Sequence, residues 1–207
     1  MARGLAQRPL APAVSAGVGP TLHLTVGLPG TGKTTWAREF AERHRILRLS
    51  PDEWMNPLFG ASDVDGSRDV LEGRMIWTAV QVLRGGASVV LDFGCWSAEE
   101  RWSLRAIAAA AGAGFGLASF SVPEPERRRR ADERFRAAPH TTFAMTDEDH
   151  DRYLALFTPP TADEIAGTPF PAPPVGHATW TAWADSRWPA LGDIGTGDPL
   201  PPSPRVP

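Results

Sequence analysis

The stretch GLPGTGKTT, residues 27–35, combines glycines, one lysine and hydroxyl side chains in a spacing that suits phosphate binding. Gly27, four further residues and then Gly32-Lys33-Thr34 fit the pattern G-x-x-x-x-G-K-[ST]. In such a loop backbone N–H groups converge on phosphate, the lysine reaches the β and γ phosphates, and the threonine hydroxyl takes a Mg²⁺ position. We therefore predict a triphosphate-binding loop made of Gly27, Leu28, Pro29, Gly30, Thr31, Gly32, Lys33, Thr34 and Thr35.

Lys33 is the only lysine among the 21 Lys and Arg residues of the chain. It stands where the loop needs a compact ammonium group rather than the planar fork of arginine. A guanine-reading Asn-Lys-x-Asp element, as in small GTPases, is excluded because no second lysine exists. The Leu-Ser-Gly-Gly-Gln signature of transporter ATPases is absent as well. The pattern that remains is that of a small kinase.

The segments around the loop alternate between strand and helix patterns. Strands are predicted at 21–26, 45–50, 87–93 and 115–122, and helices at 34–44, 69–84, after the Ser97 capping box, over the arginine-rich stretch and after Thr146. The alternation predicts an α/β fold, a three-layer sandwich with a mostly parallel sheet.

Two carboxylates follow predicted strands at the carboxyl edge of the sheet, where open α/β folds bind ligands. Asp92 ends the apolar strand ASVVLDF, and Asp52 lies in SPDEW after the second strand. Other interpretations stay open: Asp92 could cap a turn, and Ser50-Pro51-Asp52-Glu53 also fits a helix N-cap. The six arginines within residues 127–136 fit either a lid over phosphate or a solvated helix face.

The composition bounds the class of protein. With 207 residues and a net charge of −3, the chain suits one domain and argues against a protein that coats nucleic acid or anionic membrane. Cys95 is the only cysteine and there is no long apolar run, so a cytoplasmic location is expected. We predict a disordered segment at 1–19, a globular domain at 20–166 and a Pro/Trp-rich extension at 167–207. Its tryptophans, Trp180, Trp183 and Trp188, could cap the domain surface or frame a substrate pocket.

A family resemblance rests on GLPGTGKTTWAREFAE, ILRLSPDEW, GGASVVLDFGCWSAEERWSLRAIAAAAGA and TDEDHDRYLALFTPPTADE. Together these stretches resemble the predicted-kinase branch of the P-loop superfamily, also described as AAA-like ATP-binding proteins. That branch is related to polynucleotide 5′-kinases, zeta toxins and chloramphenicol phosphotransferase. The resemblance covers about residues 21–166 and implies a P-loop NTPase fold of the small-kinase type with an arginine-rich lid.

The resemblance also implies roles for individual residues. ATP and Mg²⁺ would be held by Lys33 and Thr34, with Asp92 as the carboxylate of the metal shell. Asp52 would act as the general base that accepts the proton of the acceptor hydroxyl. Relatives commonly carry a basic residue about three positions later, where this chain has Trp54, Met55 and Asn56.

The lid motif of the relatives matches Arg130 and Arg134 best. They are spaced i, i+4 on one helix face, so both guanidinium groups could close over the γ-phosphate. Arg101 also stands where relatives often keep an arginine, although a salt-bridged helix residue is an equal interpretation.

Three functions fit the sequence. The first is an ATP- and Mg²⁺-dependent kinase that phosphorylates a hydroxyl of a small molecule, such as a metabolite, an antibiotic or a nucleotide-like compound. The second is a polynucleotide 5′-kinase, which the scarcity of aromatic residues among the lid arginines disfavours. The third is a non-catalytic module in which ATP orders a lid for a partner. No membrane partner is expected, and the sequence leaves the acceptor and the oligomeric state open.

Overall fold

The structure, a computed structural model, describes residues 19–167 and 170–194. The predicted disordered segment 1–19 lies outside the described residues apart from Gly19, as does the end of the predicted extension from residue 195 onward. The four strands are β1 (Thr21–Val26), β2 (Leu47–Leu49), β3 (Val89–Gly94) and β4 (Gly114–Ser119). The α-helices are α1 (Lys33–His44), α2 (Pro51–Phe59), α3 (Ser67–Arg84), α4 (Ala98–Ala110), α5 (Glu124–Ala137), α6 (Asp147–Leu156), α7 (Ala162–Ala166) and α8 (Trp180–Arg187).

The strands form one parallel sheet in the order β2-β3-β1-β4. Parallel neighbours need crossover connections, and the helices between the strands supply them. The carboxyl ends of β1 and β3 lie side by side in the middle of the sheet, with Val26 opposite Gly94. This is the position at which doubly wound sheets bind ligands. The predicted α/β fold with a parallel sheet is confirmed.

The alternation of side chains along β1 and β3 divides the core between the two faces of the sheet. Leu22 and Leu24 of β1 and Leu91 of β3 pack with apolar residues of α3 and α4 on one face. On the other face Val90 packs with Ala37 and Ala41 of α1. Helices thus cover both faces, and burial on both sides explains why the strands read as nearly continuous apolar runs.

Most element boundaries agree with the sequence patterns to within a few residues. The Ser97–Glu100 and Thr146 capping signals are both confirmed, each as a complete capping box. The second strand is wrong in length, because only Leu47–Leu49 pairs, and it pairs only with β3 at the sheet edge. Ser50 is the N-cap residue of α2, so the helix-cap interpretation of this stretch is correct.

The tryptophan-bearing part of the extension folds onto the domain. Trp188 is fully buried in the main core cluster, and Trp180 is 8% exposed. The interpretation that this segment caps the surface of the domain is therefore confirmed. Among the described residues, no helix has the length and apolar character needed to cross a membrane.

Candidate active site

The predicted phosphate loop connects β1 to α1 in a conformation that depends on glycine. Gly27, Gly30 and Gly32 have φ values of 152°, 87° and 95°, which side chains rarely allow. A Cβ at Gly27 would lie 2.7 Å from the carbonyl oxygen of Phe120, and one at Gly30 would lie 2.2 Å from that of Arg127. Gly27 and Gly30 therefore allow the backbone of Phe120 and of Arg127 to approach the loop closely. A Cβ at Gly32 would meet no described atom within 4 Å, so the space beside it is open.

The first turn of α1 is suited to an anion. Gly32 is the N-cap residue and provides no side-chain cap, and the first turn carries no acidic residue. The leading N–H groups of a helix have no intrahelical acceptor, and the helix dipole adds partial positive charge there. Thr34 is half-buried and Thr35 exposed in this turn. The residues present therefore fit a triphosphate, as the sequence pattern predicts.

Lys33 extends from this turn into a cavity of about 560 Å³. Burial lowers the pKa of its ammonium group, while the charges of Asp92 and Asp52 raise it. The Cε of Lys33 lies 3.5 Å from the position that a Cβ would take at Gly94, so the side chain passes close to the end of β3. The ammonium group of Lys33 therefore interacts electrostatically with both predicted carboxylates.

Asp52 lines the same cavity from the first turn of α2. Its Oδ1 lies 3.0 Å from Nη2 of Arg68, which comes from the first turn of α3. Burial would raise the pKa of Asp52, but the charges of Arg68, Lys33 and Arg134 outweigh it and hold the pKa below its usual value. Asp52 is therefore ionised near neutral pH. Arg68 is thus a cation in contact with Asp52, although it comes from a different helix from Trp54, Met55 and Asn56.

Asp92 lies near the carboxyl end of β3 and is 4% exposed. Its Oδ1 accepts a hydrogen bond from the hydroxyl of Thr25 at 3.0 Å, and its Oδ2 lies 3.0 Å from Nη1 of Arg48. Arg48 also pairs with Glu53. The carboxylate is therefore fixed from two neighbouring strands rather than capping a turn.

The oxygen atoms that the sequence predicts to bind a metal ion are those of Asp92 and of the Thr34 hydroxyl, neither of which is among the residues that line the cavity. Mg²⁺ prefers such ligands and usually completes its shell with water and substrate phosphate. Within residues 19–167 and 170–194, no cluster of three or more His, Cys, Asp or Glu side chains could form a metal cage. Carboxylate and hydroxyl oxygens are of the kind that Mg²⁺ binds, and a metal ion would share the carboxylate of Asp92 with Thr25 and Arg48.

The arginine-rich helix α5 presents its arginines in three different surroundings. Arg134 lines the cavity and donates from Nη2 to the hydroxyl of Thr142, while its buried Nε has no hydrogen-bond partner among the described residues. Arg130 does not line the cavity and pairs with Glu126 at 2.7 Å. The structure thus brings Arg134, but not Arg130, together with Lys33 and Asp52.

Arg127 is the most buried of these arginines, with 1% of its surface exposed. Its Nη1 donates to the carbonyl of Pro29 at 3.1 Å and contacts Nδ1 of His150, also at 3.1 Å, while Glu124 accepts from its other nitrogens. The side chain therefore clamps α5 and α6 to the phosphate loop. The other arginines of the run, Arg128, Arg129 and Arg136, pair with carboxylates near the surface.

Aromatic and charged residues complete the cavity beyond Asp52. Trp96 and Tyr153 lie on one wall with ring centroids 4.6 Å apart. Trp188 and Arg187 reach the cavity from the extension, next to Glu72 of α3. The extension thus contributes to the lining of this cavity as well as covering the domain surface, and its role toward a substrate stays a prediction.

Several residues of the site escape analysis of the sequence alone: Arg48, Arg68, Glu72 and Arg127. One signal was available, since Gly73 interrupts the helical pattern of α3 and an isolated glycine there indicates close packing. Arg101 proves to be a salt-bridged helix residue, 1% exposed and 2.8 Å from Glu164. Cys95 is buried, and burial raises the pKa of its thiol, in keeping with a packing role.

Comparison with known families bears on this arrangement. A family model described as an AAA domain matches residues 22–160, about two thirds of the chain. This chain belongs to the AAA-domain family. The matched region of the AAA domain contains the phosphate loop, Asp52, Arg68, Asp92 and Arg134, and it ends before α7 and α8. The resemblance to P-loop ATP-binding proteins is thereby confirmed.

Solved structures show the same fold as this AAA domain. A chain of the Pnkp1/Rnl/Hen1 RNA repair complex is 20% identical with a TM-score of 0.55, covering 69% of this chain and 45% of that one. Kti12 from Chaetomium thermophilum, in complex with ADP-AlF3, is 16% identical with a TM-score of 0.55, covering 82% and 98%. APE1195 is 22% identical with a TM-score of 0.52, covering 86% and 97%. The chain thus spans less than half the length of the RNA repair protein. The comparison with curated proteins found no match.

Proposed function

We propose that this AAA domain is an ATP- and Mg²⁺-dependent kinase that phosphorylates a hydroxyl group of a small molecule. The observation that carries the proposal is that Lys33, Asp52 and Arg134 line one cavity. Phosphoryl transfer asks a protein to position groups and to neutralise charge, and these residues bring an ammonium, a carboxylate and a guanidinium to one place.

Each residue has a distinct task in this reaction. Lys33 and the amides of the loop hold the triphosphate, and Thr34 and Asp92 hold Mg²⁺. Asp52 takes the proton of the acceptor hydroxyl as the new bond forms between the acceptor oxygen and the γ-phosphorus. The bond from the γ-phosphorus to the β–γ bridging oxygen breaks, and ADP leaves. Arg134, whose Nε has no described partner, binds the phosphoryl oxygens.

The size and surroundings of the site support a small acceptor. The cavity volume of about 560 Å³ lies within the range of small-molecule pockets, roughly 300–1,000 Å³. On α5 the arginines other than Arg134 are paired with carboxylates. Because their charges are neutralised in this way, these arginines have little positive charge left with which to bind the phosphate backbone of a nucleic acid.

The proposal is tested by measuring ADP formation from Mg-ATP with nucleosides, sugars, aminoglycosides, other antibiotics and oligonucleotides as acceptors. We expect one class of small hydroxyl compound to raise the rate. The variant Asp52→Asn should lower that rate by roughly 10²-fold or more and keep the affinity for ATP. Asp132→Asn, on the surface of α5, is the matched control and should leave the rate unchanged. Stimulation by oligonucleotides alone, or ATP binding without transfer to any acceptor, would overturn the proposal.

A further inference from the structure

The carboxylate of Asp52 stands at one end of a continuous chain of hydrogen bonds. Arg68 donates from Nη2 to Oδ1 of Asp52 at 3.0 Å and from Nε to Oε1 of Glu72 at 3.0 Å. The other oxygen of Glu72, Oε2, accepts from the indole N–H of Trp188 at 3.1 Å. One guanidinium is therefore shared between two carboxylates, and the second carboxylate is held by a tryptophan 116 residues away.

The inner members of this chain are buried. Trp188 is 0% and Glu72 is 7% exposed. Burial raises the pKa of Glu72, and Arg68 and the Trp188 hydrogen bond oppose that rise. A buried carboxylate requires a partner for each oxygen. The position of Glu72 therefore depends on Trp188, and so does the hydrogen bond between Glu72 and Arg68.

The C-terminal segment 180–191 is fixed to the domain at this point. Arg187 pairs with Asp69 of α3 at 2.7 Å and with Glu100 of α4 at 2.9 Å. Gly73 allows the segment to approach α3, because a Cβ there would lie 2.9 Å from the backbone nitrogen of Leu191. The segment lies beyond residue 160, where the family match ends. It is nevertheless built into the wall of the cavity.

We propose that Glu72 and Trp188 are positioning residues, which act through Arg68 to hold the carboxylate of Asp52 toward the acceptor. The C-terminal segment 180–191 is then a working part of the acceptor site. The planar fork of Arg68 allows this, since it contacts both carboxylates at once in a fixed geometry. The inference rests on the proposed role of Asp52 as general base.

The test is a titration of the Asp52 carboxyl carbon by NMR in the full chain, with Asp52→Asn used to assign the signal. Arg68, Lys33 and Arg134 are the charged groups with the largest effect on the pKa of Asp52, and Glu72 lies in the same cavity on the other side of Arg68. In Trp188→Phe the carboxylate of Glu72 loses its donor, so the pKa of Glu72 rises further and its neutral form attracts Arg68 less. Arg68 then interacts more strongly with Asp52, and the pKa of Asp52 should fall. Trp180→Phe is the matched control, because this tryptophan is also buried and donates instead to the carbonyl of Pro171. It should leave the titration unchanged.

A second variant separates positioning from general loosening of the fold. Glu72→Gln removes the carboxylate that competes for Arg68, so the pKa of Asp52 should fall, as in Trp188→Phe. Circular dichroism establishes that both variants are folded. A rise of the pKa of Asp52 in either variant, as a loosened contact with Arg68 would give, or no shift in Trp188→Phe, would overturn the inference.

Turnover gives an independent readout of the same inference. With the acceptor from the screen, Trp188→Phe should lower kcat on the order of 10-fold and leave the KM for ATP unchanged. If the wild-type protein transfers no phosphate while both variants lower the pKa of Asp52, the proposed function fails and the positioning of Asp52 stands. If transfer occurs and the shifts are absent, the positioning inference alone fails.

Discussion

Nη1 of Arg48 lies 3.0 Å from Oδ2 of Asp92, which joins the edge strand β2 to the carboxyl end of β3. The side chain of Asp92 is 1% exposed, so its charge is compensated by Arg48 rather than by water. Removing one partner of a buried pair leaves an uncompensated charge in the interior. Arg48, which holds the carboxylate of Asp92 in place, therefore also stabilises the sheet.

Arg48→Gln should therefore lower the free energy of unfolding by about 3 kcal/mol, as measured by urea denaturation at neutral pH. Arg38→Gln is the control, because Arg38 is 54% exposed and pairs with the same Glu53. An exposed pair of this kind contributes less than about 1 kcal/mol. Equal losses in the two variants would show that Asp92 does not depend on Arg48.

Arg127 couples the arginine-rich helix to the phosphate loop through the carbonyl of Pro29. Arg127→Met should release the loop and weaken the binding of Mg-ATP by roughly 10-fold, equivalent to about 1.4 kcal/mol. Arg129→Met is the matched control, since Arg129 is 55% exposed and contacts only the α5 carboxylates Glu126 and Glu133 in the described contacts. Calorimetric titration measures both affinities. Unchanged affinity in Arg127→Met would contradict the clamp.

His23 makes stability depend on pH. Burial and the charge of His44 lower its pKa to about 4 from 6.5. Below pH 6.5 the unfolded chain binds a proton that the folded chain does not, so stability falls as the pH drops from 6.5 to 4. The loss should reach about 3 kcal/mol.

Urea denaturation between pH 7 and pH 4 measures this dependence. His23→Leu should remove the part that His23 contributes, because leucine does not titrate, and leave the part from His150, whose pKa is also lowered by burial. His44→Gln should retain most of the dependence, since the charge of His44 is the smaller of the two causes. An identical pH dependence in His23→Leu and the wild type would rule out His23 as its source.

The parts of the fold that sequence reasoning recovers are those set by neighbouring residues. The loop between β1 and α1, the Ser97 capping box and the end of α3 at Gly85 follow from local glycine and cap chemistry. The partners of Asp52 and Asp92 do not, because Arg68 and Arg48 reach them across 16 and 44 residues of chain. Such pairs depend on which helices and strands become neighbours in the fold. The periodicity of apolar residues along the sequence does not indicate which elements these are.

The extension shows the same division. Its tryptophans predict burial, since exposed aromatic surface is unfavourable. The hydrogen bond from Trp188 to Glu72, however, depends on how α8 lies on α3 and α4. Gly73 is the one local sign of that packing in the sequence. It indicates that another segment approaches α3 closely, but it does not indicate which segment.

Titration calorimetry of Mg-ATP with the wild-type protein and with Lys33→Met measures directly whether residues 27–35 bind a triphosphate. Methionine keeps the apolar stem and removes the ammonium group. We predict saturable binding to the wild type and a loss of about 10²-fold or more in affinity, roughly 2.7 kcal/mol, in the variant. The absence of heat with the wild type, or equal affinity of the two proteins, would contradict the assignment of residues 27–35 as a triphosphate-binding loop.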